Sequence, residues 1–353
     1  MTKYIFNFLL ILSLVSCQPK MLNVLCFGDS ITQGRAKGDS ITQLSYRFWL
    51  WEKLDSAGYK VDMLGTNNIW HKEDRNNRVQ VPISRFTGHT FDMDHEGFYG
   101  IRTAETLNGN FKHDSVMYPS FKERLQKLKG ADVAFVHIGT NDSKADSLKT
   151  ITALKEIVEQ IYFRNKKTTI FLAKLNTPWV RFVNHAVEPL MAELRLKYPK
   201  IKVTFVDMAA GWVNCTDVPG TMTYDWTHPN VLGQKIMANN WYKAFKSIDD
   251  NQKPTFIANT KVTAQTDSTA TITWAPATDN KYIAGYNIAV NAEMVNWHRS
   301  ECGTKDKQSI ALLTSNSFTI SELRKGTRYE IVISAVDFAN NSSDSTPIYF
   351  KLP

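Results

Sequence analysis

The chain has 353 residues, of which 43% are hydrophobic and 22% charged, with a formal net charge of +8. This is more chain than one ordinary domain needs, and the composition excludes wholesale disorder. Lysine and arginine are scattered over apparent helix ends, as in KERLQKLK and RNKK. They form no basic stripe interleaved with aromatics, which argues against a nucleic-acid partner.

The N-terminal stretch MTKYIFNFLLILSLVSCQPK has one early lysine and an apolar run over 4–15. That run is too short to span a bilayer and suits the hydrophobic region of a signal peptide. Its ending, Leu14-Val15-Ser16-Cys17, resembles the lipobox of bacterial lipoproteins, in which cleavage leaves a lipid-modified cysteine first. An ordinary signal peptide that carries a cysteine is the competing reading. The lipobox resemblance implies a signal peptide over 1–16, a lipidated tether over 17–22 and a protein held on a membrane surface without spanning it. Gln18, being no aspartate, fits onward export to an outer membrane or the cell surface.

Strand-like apolar runs follow at 23–27, 60–64, 132–137, 168–173 and 202–206. Between them lie amphipathic stretches with apolar residues three and four apart, among them LSYRFWLWEKLDSAG, ITALKEIVEQIYF and FVNHAVEPLMAELRLKY. The alternation predicts an α/β unit over 23–248, a parallel sheet with helices on both faces, closed by a helix over 231–248. Reactive groups of such sheets collect at the carboxyl ends of the strands. SIDDNQKP, over 247–254, is polar and ends in proline, which marks a linker at 249–253.

Beyond the linker, ATITWAP, AGYNIAVN, SFTISEL and YEIVISAVD are short alternating strands, predicting an all-β sandwich over 254–353 that folds as an independent unit. Trp274 and the run LRKGTRY ending at Tyr329 resemble a fibronectin type III domain. There a buried Trp packs the sandwich and a corner tyrosine ties its hydroxyl to backbone a few residues upstream. Such sandwiches serve as spacers as often as binders. Outside the tether the cysteines are Cys26, Cys215 and Cys302. An odd number without a CxxC pair supports neither a disulfide framework nor a zinc site, and leaves open whether Cys215 and Cys302 pair. Cys26 lies in an apolar strand and reads as a small buried residue.

The letters GDSITQ occur twice, at 28–33 and 38–43. A nucleophile of an α/β enzyme belongs where a strand ends in a sharp turn. Gly28-Asp29-Ser30 follows the strand run NVLCF, whereas Gly38-Asp39-Ser40 follows Arg35-Ala36-Lys37, which cannot be a buried strand. Ser30 is therefore the candidate nucleophile, and Asp39 or Ser40 reads as the N-cap of the helix that follows.

A serine nucleophile also needs a base, an orienting acid and donors for the oxyanion. Asp225-Trp226-Thr227-His228 places an acid three residues before a histidine in the loop after the fifth strand run. GTND at 139–142 ends a strand with an Asn amide, and GFYG at 97–100 offers backbone N–H groups. His137 lies within a strand and reads as a packed core histidine. His95 and Glu96 read as loop-shaping residues, with substrate contact as the minority reading. Asp94, His95 and Glu96 are adjacent and cannot converge on a metal without distant partners. Trp49 and Trp51 read as core, while Trp179 in NTPWVRF and Trp226 beside the base are placed to stack on a substrate ring.

Together GDSIT, HEGFYGIR, GTND and DWTHP resemble, in order and approximate spacing, the blocks of the GDSL or SGNH hydrolase superfamily, over about 23–248. The resemblance implies a flavodoxin-like three-layer α/β/α fold, Ser30 as nucleophile, His228 as base and Asp225 as its partner. It also implies an oxyanion hole made by Ser30 N–H, Gly100 and Asn141; Gly100 is picked over Gly97 by its place two residues before Arg102. The block reads GDSI where the family's name has GDSL, a physically neutral exchange. The stretches YRFWLWEKLDSAGYKVDMLGT and DHEGFYGIRT resemble the acetylxylan-esterase-like branch of carbohydrate acetylesterases. No cofactor and no metal is implied. The expected activity is removal of acetyl groups from oligo- or polysaccharides outside the cell. A lysophospholipase or other lipid esterase, and a catalytically weak glycan-binding surface lipoprotein, are the alternatives.

Overall fold

The computed structural model describes residues 20–36, 45–68, 71–72, 91–113, 116–295, 297–298 and 309–353. The expectations for Cys17, Asp39, Ser40 and Cys302 lie outside the described residues. In the first unit, β1 (Lys20–Gly28) buries Val24, Leu25, Cys26 and Phe27 almost completely. A near-continuous apolar run of this kind is what a central parallel strand, covered on both faces, requires. With β2 (Tyr59–Leu64), β3 (Glu96–Gly97), β6 (Val133–His137), β7 (Thr169–Lys174) and β8 (Lys202–Asp207) it forms one parallel sheet. The order is β8-β7-β6-β1-β2, with β3 also on β1. A hairpin of β4 (Phe111–His113) and β5 (Val116–Tyr118) stands outside the sheet.

The register positions the site. Gly28, the last residue of β1, pairs with His137 on one side and Gly97 on the other. The three loops that leave these strand ends, GDS, GTND and GFYG, therefore emerge side by side. Helix α2 (Ser45–Ser56) packs against α7 (Val231–Lys246). A second group packs together: α3 (Thr103–Asn108), α4 (Phe121–Lys127), α5 (Ser147–Arg164) and α6 (Arg181–Lys197). In α5 the buried positions Thr150, Ala153, Leu154, Ile157, Val158 and Ile161 recur every three or four residues, one stripe of an amphipathic helix. Trimming a fully buried member such as Ile157 to alanine costs about 2–5 kcal/mol. Among the described residues no helix is long and apolar enough to cross a membrane.

The second unit is an antiparallel sandwich. One sheet holds β9 (Lys261–Gln265), β10 (Ala270–Thr273) and β12 (Ser317–Ile320). The other is built on β11 (Ile283–Val290) and β13 (Arg328–Asp337), with β14 (Ser342–Asp344) and β15 (Ile348–Lys351) on β13. Trp274 is buried edge-on to Tyr286, 5.4 Å between ring centroids. The Tyr329 hydroxyl accepts from Arg324 N at 2.6 Å, the upstream corner bond that the sequence predicts.

The polar linker predicts two independent units; each has its own apolar cluster, and the two also touch. Phe338, 8% exposed, belongs to the apolar cluster of the first unit, and Tyr282 and Ala284 pack against it. Asp207, buried at the end of β8, accepts from Leu312 N at 2.9 Å. Asn340 Nδ2 donates to Thr204 Oγ1 and Phe205 O, at 2.8 and 3.1 Å. A linker's composition reports where the chain turns to solvent; it carries no information about faces that meet elsewhere. The odd cysteine count was likewise a poor guide. Cys215 is disulfide-bonded, and among the described residues the free thiol is Cys26, buried in the core and pushed by burial up to about 12.

Candidate active site

The GDS turn is shaped from below. A Cβ on Gly28 would lie 2.2 Å from His137 O and 2.2 Å from Thr32 Oγ1, so only glycine fits where β1 ends. Asp29 then caps the four-residue helix α1 (Ser30–Gln33): its Oδ1 accepts from Ile31 N at 3.0 Å. Its other oxygen accepts from Thr140 N at 3.3 Å, tying the GDS turn to the GTND loop. Beneath, the fully buried Arg47 donates to Thr32 O, Gln33 O and Met93 O. Burial pulls its guanidinium down to about 10, so it remains a cation at neutral pH. Gln33 Oε1 accepts from Tyr99 N at 2.6 Å, which fastens the GFYG loop to the same turn.

On this base Ser30 Oγ lies 2.8 Å from His228 Nε2, and His228 Nδ1 lies 2.8 Å from Asp225 Oδ2. With Nδ1 donating to the carboxylate, Nε2 is left as the acceptor for the serine hydroxyl. The spacing of three residues works because Asp225 folds back on its own loop: Oδ1 accepts from His228 N at 2.7 Å and Thr227 N at 3.2 Å. Burial pushes the Asp225 carboxyl up, but the His228 ring and these amides outweigh it and hold it below the usual carboxylate range. Asn230 caps α7 through Gly233 N and fixes where the loop ends. The His228 ring runs nearly parallel to Tyr99 (6.3 Å, 10°) and to Tyr224 (5.8 Å, 16°). Neither tyrosine is singled out from sequence, although Tyr99 lies inside the block HEGFYGIR and Tyr224 immediately precedes DWTHP.

The structure also separates the two glycines of the GFYG loop. Gly97 N donates to His95 Nδ1 at 3.0 Å, whereas Gly100 sits exposed at φ +71° with open space around its missing Cβ. Asn141 Nδ2 donates to Ile101 O at 3.0 Å, which uses one of its two hydrogens and links GTND to the loop of Gly100. Asp142, missed from sequence, brackets Asn141: it accepts from Thr103 N, Thr103 Oγ1 and Thr150 Oγ1 at 3.0, 2.9 and 2.7 Å. Burial raises its pKa, against the pull of these donors. Glu96 is loop-shaping in a concrete sense: one oxygen accepts from Thr66 N and Thr66 Oγ1, the other from the fully buried Arg124 at 2.7 Å.

His137 is fully buried in β6 with Nε2 3.2 Å from Asn176 Oδ1. Burial lowers its pKa and keeps it neutral, so it belongs to the core. Trp51 is buried and Trp49 half-buried, its indole donating to Gln234 Oε1. Trp179 and Trp226 are 36% and 45% exposed, and Trp179 Nε1 donates to Thr140 O at 3.3 Å, beside Asn141. Among the described residues one acidic group, Asp250, Asp279 and Asp337, gathers within 4.8 Å; it lies at the junction of the two units, outside this site.

The model of the GDSL-like Lipase/Acylhydrolase family matches residues 26–236, and that of the fibronectin type III domain matches 252–351. Similar solved structures include an acetyl esterase variant with acetate ion (TM-score 0.46, 23% identity, covering 66% of this chain and 100% of that one). A Clostridium thermocellum family 3 carbohydrate esterase gives a TM-score of 0.48 at 23% identity, covering 65% of this chain and 98% of that one. A carbohydrate esterase family 3 protein from Talaromyces cellulolyticus gives 0.46 at 23%, covering 66% and 100%. No curated protein matches the sequence.

Proposed function

Since the chain belongs to the GDSL-like lipase/acylhydrolase family, we propose that it is a serine esterase that removes short acyl groups, acetyl above all, from carbohydrates. The observation that carries this reading is the hydrogen-bonded relay from Asp225 through His228 to Ser30, with both ring contacts at 2.8 Å. In this mechanism Ser30 Oγ attacks the ester carbonyl carbon while its proton passes to His228 Nε2. Asp225, held anionic, stabilises the imidazolium that forms. The carbonyl oxygen becomes negative and is met by Ser30 N–H, Gly100 N–H and Asn141 Nδ2. The tetrahedral intermediate expels the sugar hydroxyl, which leaves with the proton from Nε2. Water then attacks the acyl-serine, its proton goes to Nε2, and collapse frees the acid and returns the proton to Ser30.

Three partly exposed aromatics support a carbohydrate as the alcohol: Tyr99 beside Gly100, Trp226 beside Asp225, and Trp179 tied to Thr140. Flat rings of this kind take the C–H face of a sugar. The test is a series of p-nitrophenyl esters from acetyl to octanoyl, followed by acetylated oligosaccharides. Activity is expected to fall steeply with chain length, and acetylated oligosaccharides to exceed p-nitrophenyl acetate in kcat/KM. A preference for octanoyl or lysophospholipid substrates makes the enzyme a lipid esterase instead. We also propose that Cys17 carries the lipid that tethers the enzyme to the cell envelope, close to exported glycans. Cys17→Ala then abolishes incorporation of a fatty-acid label, and persisting label overturns this assignment.

A further inference from the structure

Trp226 occupies the left-handed backbone region, at φ +73°, where a bulky L side chain is strained. Of the non-glycine residues described there, four are asparagines, and Trp226 is the only aromatic. Asparagine visits this region readily; tryptophan does not. The conformation is held from both sides of the residue. Trp226 N donates to Thr223 Oγ1 at 3.1 Å, and Trp226 O accepts from Asn214 Nδ2 at 3.1 Å. Thr223 Oγ1 in turn donates to Asn214 O at 2.6 Å, which closes the clamp. Asn214 and Thr223 are buried, 2% and 1% exposed, whereas the side chain they hold up is 45% exposed.

The turn between Asp225 and His228 needs this backbone shape; it does not need an indole. Glycine or asparagine would make the same turn without strain, and the core does not claim the ring. Strain held by surrounding structure at a reactive site points to a use for the strained group. We propose that Trp226 is a specificity-determining residue, presented by the Asn214–Thr223 clamp as the platform on which the sugar ring of an acetylated glycan stacks while its ester reaches Ser30. This rests on the carbohydrate-esterase reading above. Contact with a part of the substrate remote from the reacting bond raises kcat/KM by holding the ester in attack geometry. A p-nitrophenyl ester has no sugar to place there.

The experiment compares Trp226→Ala, Trp226→Gly and Trp226→Tyr with the wild type, in kinetics on an acetylated oligosaccharide and on p-nitrophenyl acetate and in thermal melts. The ratio of the two kcat/KM values is expected to fall about tenfold in the Ala and Gly variants, and to be largely kept by Tyr. Both small variants lack the ring, so their difference reads the backbone alone. Gly is expected to melt about 2 °C above Ala, the reverse of their order at an ordinary position. An unchanged ratio overturns the platform while leaving the carbohydrate-esterase reading intact, because the wild type still deacetylates the glycan. A parallel loss on both substrates also overturns it, since Trp226 would then serve only to hold the triad. Ala melting above Gly removes the strain on which the inference stands. A wild type without glycan activity overturns the functional reading and the platform together.

Discussion

Asn141→Ala separates the chemistry of the GTND loop from its architecture. In the structure the Asn141 amide donates one hydrogen to Ile101 O at 3.0 Å, and in the proposed mechanism the other faces the oxyanion. The rest of the loop is fixed without it: Asp142 accepts three bonds from Thr103 and Thr150 at 2.7 to 3.0 Å, and Thr140 N donates to Asp29. The variant loses one ordinary hydrogen bond, worth about 1 kcal/mol, so Tm is expected to drop by only about 2–4 °C. Loss of one oxyanion donor instead costs roughly a hundredfold or more in kcat, about 2.7 kcal/mol. Initial rates on p-nitrophenyl acetate, with kcat and KM resolved, and a thermal melt of the same preparation give both numbers. A kcat within threefold of the wild type, with Tm lowered, would show that Asn141 only links loops, and the reasoning about the hole would fail.

Ser30→Ala is expected to abolish ester hydrolysis, whereas Ser40→Ala keeps most of it; equal loss in two folded variants rejects the choice of Ser30. The rate should decline at acid pH, because His228 Nε2 must be free of a proton to accept the one from Ser30, while Asp225 is held below the usual carboxylate range. A flat profile would remove His228 as the base, and Asp225→Asn is expected to lower kcat by roughly tenfold or more. A chain ending at Asp249 loses the burial of Phe338 and the bonds from Leu312 and Asn340. Burial of one Phe alone is worth about 1.5–3 kcal/mol, so Tm should fall by several degrees; an unchanged Tm would show that the interface contributes nothing.

The parts of this molecule legible in sequence are those in which neighbours in the chain are neighbours in space. The runs that became β1, β2, β6, β7 and β8 were found to within a residue or a few, because a strand buried on both faces is apolar throughout. Ser30, expected after a strand, stands at the end of β1 with its Oγ 2.8 Å from His228 Nε2. Asp225 and His228 could be paired because a three-residue turn suffices to join them. The pairing of Arg124 with Glu96 spans 28 positions and that of Asp29 with Thr140 spans 111; no local pattern encodes either. The strands β3, β4 and β5, of two or three residues each, are too short for a period to register. The Trp226 ring reads from sequence as a stacking surface, yet its positive φ cannot be read from a residue type that avoids that region.

These long-range ties have one feature in common. Asp29, Arg47, Glu96 and Arg124 are fully buried polar or charged residues, and each fastens a loop at the carboxyl edge of the sheet. An apolar residue at such positions would avoid the desolvation of a buried charge, so stability alone does not account for them. Directional bonds do. Arg47 holds the GDS turn by two carbonyls and the segment before β3 by a third, while the Glu96–Arg124 pair seats the loop that carries Gly100. An oxyanion site works only if its donors already point where charge will develop, and in the proposed mechanism those donors come from three separate loops. The buried ionic residues fix these three loops relative to one another, as that mechanism requires.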